Sequence, residues 1–249
     1  MYPSFIVEYG VAPHHLSKEV FVGIVKWLRE TRVEAKHTGR KLEADALKIV
    51  INRIYGALND AMDYLYDPEC TYTVTINLQL LLCGLIEAFE LNNFDVLSAN
   101  TDGLLVRLPL NRQGMFKHIC NEWSAYSKLD LETEKFEKYC RSAVNDYIAV
   151  GYGFYDALQE YNRCGVWIDS KGNTYTTRQA IEDKFIKFKG YFLQDPEYNK
   201  GFVYPVVKKA LKEYFLYGVD ITEFIRNYIN TSRTCLLYTS PSPRDISGS

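Results

Sequence analysis

The sequence predicts an α+β fold in which helices pack on an antiparallel sheet. Three observations support this class. Apolar residues recur at helical spacing over residues 17–36, two short apolar runs flank a turn at residues 98–103, and apolar and polar residues alternate in several segments after residue 128. The chain has 249 residues, of which 47% are hydrophobic and 24% are charged. This length and composition suit one large folded domain or two small ones.

Composition argues against several classes of protein. No run of about 18 uncharged apolar residues occurs, so no membrane span is expected, and the N-terminal residues do not resemble a signal peptide. The six cysteines include no Cys-x-x-Cys pair, which argues against a zinc site or a disulfide framework and suggests a reducing compartment such as the cytoplasm. The net charge of −2 does not indicate a nucleic-acid binder, although a local basic groove is compatible with it.

The first third of the chain predicts two consecutive helices. Residues 2–7 precede them and have the pattern of a strand end or a turn. Ser17 suits the N-cap of a helix over residues 17–36, and residues 37–40 predict a turn with a glycine cap. A second helix is predicted over residues 43–64, so the two form a helical hairpin that can present basic groups on one side.

A tight β-hairpin is predicted where the runs 94–97 and 104–106 flank the Asn/Asp/Gly turn. The helix before it, residues 77–90, is apolar nearly all round and is expected to be buried. After the hairpin the patterns predict, in order, a helix over 113–126, strands over 129–136, 144–150 and 184–192, a turn between strands within 166–174, and helices over 204–217 and 221–229.

Four short segments stand in an order that indicates a function. Two of them are Tyr2-Pro3-Ser4 near the start and Asn100-Thr101-Asp102-Gly103 at the hairpin tip. The two helices between them carry a basic pair and a polar stripe at helical spacing, Arg32-x-x-x-Lys36 and Lys48-x-x-x-Asn52-x-x-Tyr55-Gly56. In order, the four resemble motif A, the basic fingers helix, motif B and motif C of family B DNA polymerases, with a pattern most like the phage enzymes. The match to motif B is the most specific, and the resemblance covers residues 1–232.

The resemblance implies a polymerase palm, an antiparallel sheet with packed helices, joined to a helical-hairpin fingers subdomain and a partial helical thumb. It implies palm over 1–16, fingers over 17–64, palm with the motif C hairpin over 65–195, and the start of a thumb over 196–232. Residues 233–249 resemble the translation of a sequencing adapter and are predicted to be disordered. A natural Ser/Pro-rich linker is the alternative for this tail.

The implied activity is template-directed nucleotidyl transfer from dNTPs to a primer 3′-hydroxyl, with two Mg²⁺ ions held by shared carboxylates. Asp102 matches the second Asp of motif C and is the predicted catalytic and metal-binding residue. The motif A carboxylate is expected just upstream of Met1, so residues 1–249 alone are expected to be inactive. Asn100 stands where the family usually has an Asp, which removes a charge from the site.

The resemblance also assigns nucleotide contacts. Arg32, Lys36 and Lys48 would grip the triphosphate, and Asn52 would lie near the nascent base pair. Tyr2 matches the steric gate, an aromatic ring that leaves no room for a ribose 2′-hydroxyl. The alternative for Arg32 and Lys36 is a solvated helix face, and for Asn52 it is helix packing.

Six residues are predicted to contact DNA. Tyr147 occupies the place of the tyrosine in the family's primer-contacting Lys-x-Tyr motif, whose lysine is absent here. Lys187 and Lys189 alternate on a predicted strand and could follow the DNA backbone, or they could be two solvated lysines. The complete set is Tyr55, Gly56, Thr101, Tyr147, Lys187 and Lys189.

The implied partners are primer–template DNA and dNTPs, with accessory replication proteins possible and no membrane, in the cytoplasm of an infected bacterium if the protein is phage-encoded. One alternative is a reverse transcriptase or RNA polymerase with a similar palm, although those usually carry paired aspartates in motif C and lack the Lys-x-x-x-Asn-x-x-Tyr-Gly helix. Another is a non-catalytic nucleic-acid-binding palm, which the neutral Asn100 favours.

Overall fold

The computed structural model describes residues 1–101, 103–190 and 205–231. Its mixture of helices and small antiparallel sheets confirms the α+β class. The chain divides into two compact units, Met1–Glu132 and Thr133–Ser249. The predicted subdomain boundaries stay predictions, and the tail 233–249 lies outside the described residues.

Helices dominate the first unit. Ser17 accepts a hydrogen bond from the Val20 amide at the start of the second helix, and Gly39 has a positive φ of 75° just after its end. The predicted start and end of this helix are therefore confirmed, because a cap and a glycine turn depend on only a few neighbouring residues. The helices are α1 Tyr2–Tyr9, α2 Lys18–His37, α3 Lys41–Ala57, α4 Pro68–Leu91 and α5 Gln113–Ser127.

The segment 2–7 is helical, so the prediction of a strand end or turn is wrong. Pro3 lies in the first turn of α1, where its missing N–H has no helical partner to lose. Gly10 ends the helix in the left-handed conformation and donates its N–H to the Ile6 carbonyl. Phe5 and Ile6 are buried. Packing of these two side chains selects the helix, which a six-residue pattern could not indicate.

Helices α3 and α4 differ in length from their predictions. Helix α3 ends at Ala57, and residues 58–66 form turns in which Asp60 and Asp63 accept hydrogen bonds from the amides two residues on. Helix α4 begins at Pro68, nine residues early, because Asp67 caps it by accepting the Cys70 amide at 2.9 Å.

The apolar helix before the hairpin, which was expected to be buried, is buried on one face only. One face of α4 lies in the core of the first unit, whereas Tyr72 and Leu80 are 61% and 63% exposed. Among the described residues α4 is the one helix long and apolar enough to cross a membrane by length and composition, a test that core helices of soluble proteins also pass.

The predicted hairpin is confirmed as the antiparallel strands β1 Asp95–Ala99 and β2 Leu104–Arg107. The Asn100 amide donates to the Gly103 carbonyl at 3.0 Å across the tip. Within the described part of the chain no third strand joins this pair, so the expectation of a larger sheet carrying the hairpin is wrong there. Arg112 fixes the hairpin to the end of α4, since it lies 4.3 Å from the Phe94 ring centre and donates to the Asn93 carbonyl.

The second unit is built on a three-stranded antiparallel sheet whose strands lie in the order Phe136–Ala143, Asp146–Gly151 and Ile186–Lys189. The helices predicted over 204–217 and 221–229 are confirmed as Pro205–Tyr217 and Ile221–Thr231. Tyr204 is not among the described residues. The predicted strand at 129–136 is wrong, because Leu129 packs into the first unit's core and the strand starts at Phe136. Its elements are β3 Phe136–Ala143, β4 Asp146–Gly151, α6 Phe154–Cys164, β5 Trp167–Ile168, β6 Thr174–Tyr175, α7 Arg178–Phe185, β7 Ile186–Lys189, α8 Pro205–Tyr217 and α9 Ile221–Thr231.

The turn and the last strand of this unit were also predicted from the sequence. The turn between strands within 166–174 is confirmed by the β5–β6 pair. The strand predicted over 184–192 is shorter, because α7 extends to Phe185 and leaves Ile186–Lys189 as β7, while residues 191–192 are not among those described. The sequence analysis did not predict helix α6. Most of its residues are polar, only Phe154 and Ala157 are buried, and Gly165 caps its C-terminal end.

A buried carboxylate ties the loop between α1 and α2 to the start of α4. Asp67 Oδ2 accepts the His14 amide at 2.8 Å and lies 2.9 Å from His14 Nδ1, while Oδ1 accepts the Cys70 amide. Burial by itself raises the pKa of Asp67, but these hydrogen bonds outweigh it and lower the pKa to about 2. The same contact raises the pKa of His14.

The depressed pKa makes a pH-dependent contribution to stability. The folded-state pKa of Asp67, about 2, lies below its ordinary value of 3.8, so the stabilisation is present above about pH 5 and is lost as the pH falls toward 2. We expect Asp67→Asn to lower the free energy of unfolding by about 2 kcal/mol at pH 7, with the difference disappearing near pH 2. Urea unfolding at several pH values, with hydrogen exchange of the α4 amides, measures this. Glu87→Gln, an exposed change on the same helix, is the control, and an equal loss at pH 7 and pH 2.5 contradicts the prediction.

Candidate functional site

The three predicted nucleotide-binding cations, Arg32, Lys36 and Lys48, lie on the packed helices α2 and α3. Lys36 and Lys48 are exposed and form no ion pair with another described residue, as is also true of Lys18 and Lys41 at the helix starts. Other basic side chains of these helices are neutralised by carboxylates: Lys26 by Glu30, Arg29 by Glu8, and Arg53 by Asp60 and Asp63. The helical pair therefore retains positive charge at four lysines, and two of these, Lys36 and Lys48, are predicted site residues.

Arg32, the third of these cations, is part-buried on α2. Its Nε is enclosed by protein atoms and is the one buried side-chain nitrogen or oxygen of the described residues that lacks a hydrogen-bond partner. A buried donor without an acceptor costs roughly 1–3 kcal/mol, and more when it is charged.

The fold brings two predicted residues from separate motifs into contact. The rings of Tyr2 on α1 and Tyr55 on α3 stack with their centres 4.0 Å apart and their planes 8° from parallel. The Tyr55 hydroxyl lies 2.5 Å from the Thr75 hydroxyl on α4. Thr75 was not singled out from the sequence, where it is one of several similar residues in the stretch 71–77.

Asn52 and Gly56 also lie on α3, and both are exposed. A Cβ added to Gly56 would meet nothing within 4 Å. Glycine inside a helix is less favourable than alanine by roughly 1 kcal/mol. Packing within the described residues therefore gives no reason for a glycine at this position.

The hairpin tip carries the predicted metal site. Asp102 lies outside the described residues, so the prediction for its carboxylate stays a prediction. Its neighbours Asn100 and Thr101 are exposed at the tip. Carboxylate and amide oxygens are ligands suited to Mg²⁺, and Asp102 and Asn100 supply both types. Among the residues that the structure describes, no group of three or more His, Cys, Asp or Glu could hold a metal ion.

The remaining predicted DNA contacts lie in the second unit, on one face of its three-stranded sheet. Tyr147 on β4 pairs in register with Arg141 on β3 and with Lys189 on β7. Directly paired residues project from the same face, so an aromatic ring lies between two cations. Lys187, in contrast, is paired with Glu134 at 2.5 Å, which neutralises its charge.

A second tyrosine extends this face. The Tyr139 ring stacks on Tyr147 with centres 4.9 Å apart. Burial raises the pKa of the Tyr139 hydroxyl, and the neighbouring Tyr147 adds to this effect. Tyr139 and Arg141 were missed because the strand was placed too early in the sequence; the spacing of two residues was the available signal.

A separate cavity of about 360 Å³ lies between the loop 10–16 and the first turns of α4. Its lining includes His14, Lys18 and Glu69 but none of the predicted site residues.

Similarity to known proteins is found among solved structures. No family model matches the sequence, and no curated protein matches it. Among solved structures, the chain is similar to the family B DNA polymerase from the hyperthermophilic archaeon Pyrobaculum calidifontis, with a TM-score of 0.45 and 18% identity. The match covers 61% of this chain and 25% of that chain. The chain thus matches a quarter of that polymerase's length, and a similarity of this size establishes neither a shared fold nor a shared activity.

Proposed function

We propose that these residues belong to a family B DNA polymerase of phage type, which adds dNTPs to a primer 3′-hydroxyl on a DNA template during phage replication. The observation that carries the proposal is the Tyr2–Tyr55 stack, which joins two motifs 53 positions apart, on α1 and α3. Helix α3 also carries Lys48, and Arg32 and Lys36 lie on α2, which packs against both of these helices. Motif order alone does not require the side chains of Tyr2 and Tyr55 to meet. Their contact is what a common nucleotide site needs.

The triphosphate is the ligand that the three cations fit. It carries several negative charges, and charge-assisted hydrogen bonds to guanidinium and ammonium groups are the strong ones. Arg32, Lys36 and Lys48 have no carboxylate partner in the described part of the chain. The open space over Gly56 agrees with close approach of a ligand to α3.

The proposed nucleotidyl-transfer reaction depends on residues of the hairpin tip. Asp102 would hold the two Mg²⁺ ions together with a carboxylate upstream of Met1, and Asn100 would bind a water or an ion as a neutral ligand. The bound ions supply activation of the primer hydroxyl and charge stabilisation at the phosphate. Tyr2 excludes a 2′-hydroxyl by contact with its ring. On the second unit Tyr147 and Lys189 contact the DNA, and Lys187 contributes less because Glu134 neutralises it.

A non-catalytic nucleic-acid-binding protein is the second candidate. Two observations favour it. Asn100 replaces a usual carboxylate, and in the second unit Tyr147 lies between Arg141 and Lys189 and stacks on Tyr139. Aromatic faces flanked by cations bind single strands without help from a metal. This candidate predicts binding of DNA and no specific binding of dNTPs.

The proposed function is tested by removing the cations singly. Arg32→Ala, Lys36→Ala and Lys48→Ala are each expected to weaken dNTP binding by residues 1–249 by roughly 1.5–3 kcal/mol, about 10- to 150-fold. DNA affinity is expected to change little. Titration with a fluorescent dNTP and with labelled primer–template measures both affinities.

Lys26→Ala serves as the matched control, because Lys26 lies on α2 and is paired with Glu30. We expect it to bind dNTP like the parent chain. DNA binding without dNTP binding by the parent supports the second candidate. A defect of the three variants in DNA binding alone places the cations on a DNA-facing surface and contradicts the triphosphate role.

A further inference from the structure

Thr75 makes two hydrogen bonds that determine the direction of its contact with Tyr55. Its hydroxyl donates to the Thr71 carbonyl at 2.8 Å, one turn earlier in α4. That hydroxyl has a single proton, so toward Tyr55 it is the acceptor, and the Tyr55 hydroxyl donates to it at 2.5 Å. The α4 backbone thus orients Thr75, and Thr75 in turn orients Tyr55.

Tyr55 is held at two places. Its hydroxyl end is bound to α4 through Thr75, and its face is stacked on Tyr2 of α1 at 4.0 Å. A tyrosine ring has two side-chain torsions, and these two contacts restrict both. The Tyr2 ring, in its turn, has Tyr55 as a nearly parallel support, with 8° between the planes.

We propose that Thr75 is a positioning residue for sugar selection: through Tyr55 it holds the Tyr2 ring where it blocks a 2′-hydroxyl of a bound nucleoside triphosphate. The inference rests on the proposed function. A ring rejects a hydroxyl group by contact only if the ring cannot move aside. The support from Thr75 reduces that freedom without Thr75 touching the nucleotide.

The hydroxyl group of Thr75 is therefore the part of the side chain that positions Tyr55 and, through it, the Tyr2 ring. Thr75→Val keeps the shape of the side chain and removes the acceptor, and Tyr55→Phe removes the donor. Both are expected to lower the preference for dATP over ATP by roughly two- to tenfold, the size of one hydrogen bond. Thr75→Ser keeps the hydroxyl and is expected to retain the preference.

A double variant tests whether the Thr75 and Tyr55 hydroxyls act through their common hydrogen bond or affect sugar selection independently. If the two hydroxyls act through one contact, Thr75→Val combined with Tyr55→Phe lowers the preference no further than either change alone. Thr73→Val is the matched control, because Thr73 is an exposed threonine on the same helix. Affinities of residues 1–249 for dATP and ATP, titrated with Mg²⁺ present, give the ratio.

A structural measurement accompanies the titration. NMR chemical shifts of the Tyr2 ring protons report the stack, because the Tyr55 ring current displaces them. Loss of this displacement in Thr75→Val and its retention in Thr75→Ser and Thr73→Val are expected. An unchanged stack in Thr75→Val overturns the positioning role, and a lost stack with an unchanged dATP to ATP ratio overturns the role in selection. Absence of nucleotide binding by the parent chain overturns the proposed function and the selection role together, while the NMR result still decides whether Thr75 positions the rings.

Discussion

Asp102→Asn is expected to abolish nucleotidyl transfer while folding and DNA binding remain intact. Mg²⁺ prefers hard anionic oxygens, and the change removes the one carboxylate that the hairpin tip offers. Loss of metal-assisted catalysis removes several kcal/mol of transition-state stabilisation, which corresponds to roughly a thousandfold or more in rate. The assay is single-nucleotide primer extension against Mg²⁺ concentration, in a longer polymerase chain that contains these 249 residues and a motif A carboxylate.

Asn100 supplies the matched comparison at the same turn. Asn100→Ala is expected to reduce the rate far less than Asp102→Asn, because a neutral ligand contributes less to binding a dication. Asn100→Asp is expected to retain activity or to raise it at low Mg²⁺. Primer extension by Asp102→Asn at nearly the parental rate would show that the tip is only a turn and would remove the metal site from the proposed function.

Glu182→Ala is expected to cause the largest loss of stability in the second unit. The Glu182 side chain is 4% exposed and joins α7 to α8. It accepts hydrogen bonds from Arg178 Nε at 2.9 Å and from the Tyr217 hydroxyl at 2.5 Å, and it contacts the Lys212 ammonium group. Removing one member of a buried charged network leaves the others uncompensated and typically costs about 3–5 kcal/mol.

The pH dependence of this effect has a definite sign. Burial raises the pKa of Glu182, but Lys212 and Tyr217 outweigh it and hold the pKa below its usual range. A lowered folded-state pKa stabilises the fold above about pH 4.5, and this stabilisation is lost as the pH falls further. The difference in the free energy of unfolding between Glu182→Gln and the parent should therefore become smaller as the pH falls below about 4.5.

Hydrogen exchange of the α7, α8 and β4 amides in the full chain measures the loss. Glu160→Ala, an exposed change on α6, is expected to leave exchange unchanged. Equal protection of these amides in Glu182→Ala and the parent would mean that the buried network adds nothing to the stability of the unit.

Features that depend on a few neighbouring residues could be predicted from the sequence. The start of α2 follows from the Ser17 cap, and the hairpin follows from its turn residues between two apolar runs. The helix α1 could not be predicted in the same way, because burial of Phe5 and Ile6 selects a helix over 2–9. The start of α4 has a local signal, the cap Asp67 followed by Pro68, which the predicted start at residue 77 does not use.

For the candidate site, the sequence by itself determined which residue types stand in which motif and on which helix face. Only the tertiary structure decided that Tyr2 meets Tyr55 and that Thr75 holds the Tyr55 hydroxyl. It also decided that Lys187 pairs with Glu134, whereas Lys189 has no ion pair with another described residue. The physical reason is that periodicity indicates a face of a helix or strand but not the element packed against that face. Stacking and ion pairing depend on distances of a few ångströms between side chains, and those distances exist only once the helices and strands have packed.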